Sequence, residues 1–122
     1  MDNNEKLVII STTGPENQEK ATLPFVVATA AQTVDVDVVV ILQASAVLLA
    51  KTGAAENVNA QGLMPLKNLM KTFIELGGQL LLCSPCIKER FIKETDLIPG
   101  SKLVAAGTVV EEVMSAKSVL TY

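Results

Sequence analysis

The 122-residue sequence predicts an α/β fold, a single-domain three-layer α/β/α arrangement around a five-stranded, mostly parallel sheet. Short apolar runs alternate with segments of helical period in the order β-α-β-α-α-β-α-β-α-β, the pattern that builds parallel sheets through right-handed crossovers. Several of the runs are apolar throughout, as in strands covered on both faces. Composition agrees: 49% of residues are hydrophobic and 19% charged, too apolar for a disordered chain.

Residues 6–11 form the first strand, carried by Leu7, Val8, Ile9 and Ile10. Residues 18–33 set Leu23, Val26, Val27, Ala30 and Ala31 at the spacing of one helix face. Pro24 lacks a donor and is expected to kink this helix or mark its true first turn. Residues 35–42 read as a strand, with Asp35 and Asp37 sharing a face near its start before Val39-Val40-Ile41-Leu42. Residues 45–50 read as a short helix closed by Gly53, and residues 52–62, small and polar, as a loop. Residues 65–76 are a helix opened by Pro65, with Leu66, Leu69, Met70, Phe73 and Ile74 on one face and Gly77-Gly78 ending it. Strand 79–83, helix 85–93, a turn at Pro99-Gly100, strand 102–105, helix 108–116 and strand 118–122 complete the order. With no internal repeat, low-complexity tract or linker, residues 1–122 are expected to form one domain.

Several functions are excluded at this level. A net charge of −3, ten dispersed basic residues and 3% aromatics (Phe25, Phe73, Phe91, Tyr122) do not suit nucleic acid, which asks for a dense basic face and stacking platforms. The longest uncharged stretches, residues 21–34 and 38–50, fall short of the roughly 18–20 residues of a membrane span. The acidic start Met1-Asp2-Asn3-Asn4-Glu5 is unlike a secretory leader, so a cytoplasmic location is expected. Residues 44–50 and 62–66 have no obvious cover within one subunit, which predicts a homo-oligomer.

Ligands on open parallel sheets gather where strands end, here residues 11–17, 43–45, 83–86 and 105–108. Cys83-Ser84-Pro85-Cys86 is the strongest of these signals. Ser84 suits an N-cap and Pro85 a first helical residue, which would put Cys83 just before a helix N-terminus. The unpaired N–H groups there, with Lys88, Arg90 and Lys93 following, favour a thiolate. Cys86 lies within reach as a second thiol. The bland reading is a pair of small buried core residues. A stable structural disulfide is not expected in the cytosol. Two cysteines without histidine leave a zinc site two soft ligands short, so no metal is expected. The absence of histidine also removes Ser-His-Asp and Cys-His catalysis, leaving a cysteine activated by its position.

Ser11-Thr12-Thr13-Gly14 offers a weaker phosphate-loop reading. Pro15 removes an N–H, Glu16 puts a negative charge where phosphate would sit, and no aromatic near a strand end is available to stack on a flavin. An ordinary strand-to-helix turn is favoured there, and no cofactor is expected. Glu111-Glu112 is read as the exposed side at the start of the last helix, favouring its dipole.

The stretch Leu80-Leu81-Leu82-Cys83-Ser84-Pro85-Cys86-Ile87-Lys88-Glu89-Arg90, with Asp96-Leu97-Ile98-Pro99-Gly100 and Val104-Ala105-Ala106-Gly107, resembles the DsrE/DsrF-like family. These small α/β proteins include sulfur-relay subunits of the Tus/Dsr type and YchN-like proteins. The resemblance implies that Cys83 accepts sulfur as a persulfide and that the chain assembles as a trimer or hexamer. Relay subunits often carry small apolar residues and paired arginines after the cysteine, where this chain has Cys86 and Lys88-Glu89-Arg90.

The expected function is therefore sulfur relay of the sulfurtransferase type, with Cys83 as nucleophile and Cys86 as resolving thiol. Ser84, Lys88 and Arg90 would support the pair, and loop 52–62 would shield the persulfide from water. Its partners would be sulfur donor and acceptor proteins or small persulfides. Two alternatives stand beside it: a thiol–disulfide oxidoreductase using Cys83-Cys86, and a non-catalytic oligomeric module that binds a small ligand.

Overall fold

Five apolar runs become five strands of one all-parallel sheet. They are β1 (Lys6–Ser11), β2 (Asp37–Leu42), β3 (Gln79–Cys83), β4 (Ser101–Val104) and β5 (Ser118–Thr121), in the spatial order β4-β3-β2-β1-β5. Residues 5–122 are described by this structure, a computed structural model. Residues 1–4, part of the polar start read above for a leader, lie outside the described residues. Register pairs Ile9 with Val40, Ile41 with Leu81 and Cys83 with Val104.

Four α-helices connect the strands: α1 (Gln18–Thr33), α2 (Leu66–Glu75), α3 (Ser84–Glu89) and α4 (Ala106–Ser115). The first three crossovers step the same way across the sheet, and the fourth leaps back past β1. Right-handed connections therefore put α1, α2 and α3 on one face and leave α4 on the other. The core divides accordingly. Ile9, Val40, Leu42, Leu80 and Leu82 pack with Phe25 of α1 and Phe73 of α2. The two rings meet edge to face, centroids 5.8 Å apart, which locks the helices together. On the far face Val8, Val39, Ile41, Leu81 and Val104 lie beneath Val109 and Val113 of α4. That layer is thin. No residue of α4 is fully buried, every residue of β5 is exposed, and Val110, Met114 and Val119 face outward.

Pro24 is accommodated, buried, inside α1, whose start is fixed instead by Asn17; its side chain accepts the Lys20 N–H at 3.0 Å. The second strand begins at Asp37 rather than at residue 35, because the chain closes α1 first. Three helices end in the same closure, a left-handed residue that, together with the residue after it, returns two N–H bonds to the last turn. Asp35 (φ 64) ends α1, with Val36 N–H on Ala31 O. Gly77 (φ 91) ends α2, with Gly78 N–H on Phe73 O. Phe91 (φ 55) ends α3, with Ile92 N–H on Ile87 O and Phe91 N–H on Lys88 O. This closure stops α3 at Glu89, short of the expected 85–93.

Residues 44–50 form a 3-10 segment, Ala44–Ala50, and a second, Ala54–Asn57, interrupts the expected loop 52–62. Helix α4 starts two residues before position 108, which puts Glu112 well inside it. There its carboxylate takes Lys6 Nζ at 2.9 Å and ties α4 to β1, rather than facing the helix dipole in solvent. Among the described residues no helix is long and apolar enough to cross a membrane.

Phe91 is 93% exposed while held in the left-handed region. A side chain there costs about 1 kcal/mol relative to glycine. Phe91→Gly is expected to raise the unfolding free energy by roughly that amount, read as a higher midpoint in urea with an unchanged slope.

Candidate functional site

The carboxyl ends of β1, β2 and β3 bring three loops together, and the site forms where they meet. Leucines 80–82 run β3 through the core and deliver Cys83 to its last position, half-buried at the sheet edge. Cys83 itself occupies the N-cap of α3, with Ser84 as the first helical residue and Pro85 the second. The expectation of Ser84 as the cap is corrected by one residue. Proline suits the first turn, where its missing N–H would have had no partner.

One helical turn brings Cys86 back beside Cys83, and both thiols are free. Cys86 Sγ accepts the backbone N–H of Ala44 at 3.3 Å, which ties α3 to the loop after β2. Ala44 donates from a left-handed conformation, φ 52, that alanine seldom adopts. Arg90 curls back to donate from Nη1 to the Cys86 carbonyl at 3.2 Å.

The loop after β1 packs from the other side. Ser45 Oγ donates to Glu16 Oε2 at 2.5 Å, and Gly14 N–H points at both Glu16 Oε2 (3.2 Å) and Ser45 Oγ (3.1 Å). The Ser45 hydroxyl beside Glu16 holds its carboxyl below the usual range, against a small opposing effect of burial. Glu16 thus occupies the Gly14 N–H that a phosphate would need, and the phosphate-loop reading has no anion cradle to stand on. Ser11, at the end of β1, is fully buried, and its hydroxyl has no partner.

Electrostatics corrects the expected thiolate. Burial pushes the Cys83 thiol up from its ordinary value, and hydrogen bonding with the Cys86 thiol pushes it further. The Cys86 backbone N–H and, more weakly, the Arg90 guanidinium act the other way and do not prevail. Helix α3, six residues long, has few aligned peptides to offer. Burial and the neighbouring thiol thus favour the protonated form of Cys83 over the thiolate. Its alkylation rate is expected to be slower at pH 7 than that of free cysteine and to keep climbing beyond pH ~9. A plateau below pH ~8 would contradict this.

Of the expected supporting residues, Arg90 reaches the site. Its charge acts on both Cys83 and Glu16. Lys88 is exposed and is not among the charges acting on Cys83. Ser84 is half-buried beside the dithiol. Loop 52–62 packs elsewhere: Asn59 N–H donates to Gln18 of α1, and Thr52 N–H to Asp96 O. The segment against Cys86 is Ala44–Ala50. The sequence alone does not single out Glu16, Ala44 and Ser45 as site residues; nothing in an Ala-Ser pair announces a left-handed donor.

Parallel strands with a dithiol at their carboxyl edge define a small α/β protein suited to thiol chemistry. The chain belongs to the DsrE/DsrF-like family, whose model matches residues 5–122 and which is generally related to sulfur relay. It is 31% identical over 117 residues to the uncharacterized protein MJ0989 of Methanocaldococcus jannaschii, covering 96% of this chain and 99% of that one. Its fold is similar to that of the YchN protein of E. coli, with a TM-score of 0.83 at 21% identity, covering 97% of this chain and 99% of the other. It is also similar to MTH1491 of Methanobacterium thermoautotrophicum, a protein of unknown function, with a TM-score of 0.70 at 12% identity over 98% and 100% of the two chains.

Proposed function

We propose that this chain is a sulfur carrier of the sulfurtransferase type that holds sulfane sulfur as a persulfide on Cys83. The observation that carries the reading is the position of Cys83, a free, half-buried thiol at the end of β3 with a second free thiol one helical turn on. Family membership supports the same chemistry. In the loading step, Cys83 attacks the outer sulfur of a donor persulfide. The donor leaves as a thiol, its S–S bond is replaced by a new one on Cys83, and the Cys83 proton passes to the departing sulfur.

Cys86 is the resolving thiol. Its attack on the inner sulfur of the Cys83 persulfide closes a Cys83–Cys86 disulfide and releases the outer sulfur as hydrogen sulfide. Delivery to an acceptor thiol is the competing outcome. Arg90 keeps a positive charge near both steps, which favours the anionic sulfur formed in each. The partners are donor and acceptor proteins or small persulfides of the cytoplasm.

The contact between the two thiols also favours a second reading, a thiol–disulfide oxidoreductase. A Cys83–Cys86 reduction potential within about −120 to −270 mV, together with no sulfur uptake, would select it. Assembly into a trimer or hexamer would bury the thinly covered flank of α4 and β5, where Val110, Met114 and Val119 are exposed.

The proposal is tested by incubating the protein with a low-molecular-weight persulfide and weighing it intact. A gain of one sulfur atom per chain is expected. No gain in either wild type or Cys86→Ser, where resolution is blocked, would refute the carrier.

A further inference from the structure

Away from the thiols, an open cleft of about 320 Å³ lies along α2, floored by Ala55, Met70, Ile74, Ile98 and Pro99. None of the residues from Cys83 to Arg90 lines it. Met70 is buried at its base and Ile74 and Ile98 are half-buried, so the floor is part of the packed body of the domain.

Charge is arranged around this apolar floor. Lys51, Lys67 and Lys71 line the cleft with Glu56 and Glu75. Lys67 is paired with Glu56 at 3.6 Å. Among the described residues Lys51 and Lys71 form no ion pair, which leaves two lysines against Glu75 and a net positive rim on a chain of net charge −3. Lysine stems extend an apolar wall while their heads stay in water. A volume near the lower end for small-molecule sites, apolar walls and a few charges at the mouth describe a slot for a small amphiphile.

We propose that this cleft binds an anionic amphiphile, a straight-chain carboxylate whose tail lies on Met70, Ile74 and Ile98 and whose head meets Lys51 and Lys71. The site stands apart from the dithiol and does not depend on the reading given to it.

The test is a titration of the full chain with decanoate, followed through the methyl signals of Met70, Ile74 and Ile98 by NMR. Saturable shifts confined to these methyls are expected. Octanoate, shorter by two methylenes, should bind roughly tenfold more weakly. Decanol should bind more weakly than decanoate, and the exposed pair Lys51→Glu/Lys71→Glu should reduce decanoate affinity at least tenfold. No saturable shift, equal affinity for decanol, or an unchanged affinity in the double variant would overturn the proposal. It would equally be overturned if shifts spread to Val110 and Met114 on α4, the mark of non-specific adsorption. Shifts of the cleft methyls with protein concentration alone would identify a second copy as the occupant, against the proposal.

Discussion

Replacing Cys83 with serine is expected to abolish sulfur uptake, and replacing Cys86 with serine to leave uptake intact while prolonging the life of the persulfide at least tenfold. The two outcomes differ because the two thiols hold different positions. Cys83 is the N-cap at the end of β3, and Cys86 sits one turn on with its sulfur fixed by the Ala44 N–H at 3.3 Å. A thiol held beside a persulfide attacks it intramolecularly, with the rate advantage that fixed proximity confers. Removing it leaves only attack by thiols from solution. Lifetimes are read by intact mass at intervals after the donor is removed. Equal lifetimes in wild type and Cys86→Ser would show that Cys86 does not resolve the persulfide, whatever Cys83 does.

Gly14→Ala is expected to produce the largest loss of stability among single changes around the site. A Cβ at position 14 would lie 2.2 Å from the Ser45 carbonyl oxygen and 2.7 Å from its carbon, both backbone atoms. No flexible side chain can yield there, so one loop must withdraw from the other. The Gly14 N–H bonds to Glu16 and Ser45 would go with it. Overpacking of this kind costs about 2–3 kcal/mol, which for a chain of this size lowers the melting temperature by roughly 10 °C. Moving Ser45 also moves its neighbour Ala44, the donor to Cys86. Gly14→Ala is therefore expected to speed alkylation of Cys86 under native conditions. A melting temperature within about 2 °C of wild type, where that scaling makes the cost under 1 kcal/mol, would contradict the close packing of the two loops.

The architecture was legible because it is written in long-range features of the sequence. Five leucine- and valine-rich runs are best covered as a sheet with helices on both sides, and the order of elements leaves little freedom in how they connect. The dithiol was legible because strand β3 ends on it and Pro85 marks a helix start. Local hydrogen-bond choices decided the rest. Phe91 fills a closing position where glycine is usual, so the early end of α3 carried no sequence signal. Asp35 alternates with valines as a strand residue would, whereas the closure of α1 claims it. The thiolate expectation treated α3 as a full dipole and Cys83 as open. Burial and the neighbouring thiol outweigh what a six-residue helix and Arg90 supply. Glu16, Ser45 and Gly14 are far from the cysteines in sequence, and the loop they brace reaches Cys86 through Ala44 only once the sheet is formed.

The central claim is that Cys83, and not Cys86, receives the sulfur. Peptide mapping by mass spectrometry, after loading with a persulfide donor and alkylation of the intact protein, tests it directly. One additional sulfur is expected between Cys83 and the alkyl group, with Cys86 alkylated directly, beside a resolved fraction in which a Cys83–Cys86 disulfide carries no added sulfur. Sulfur found on Cys86 alone, or alkyl groups bound directly to both cysteines after loading, would contradict it.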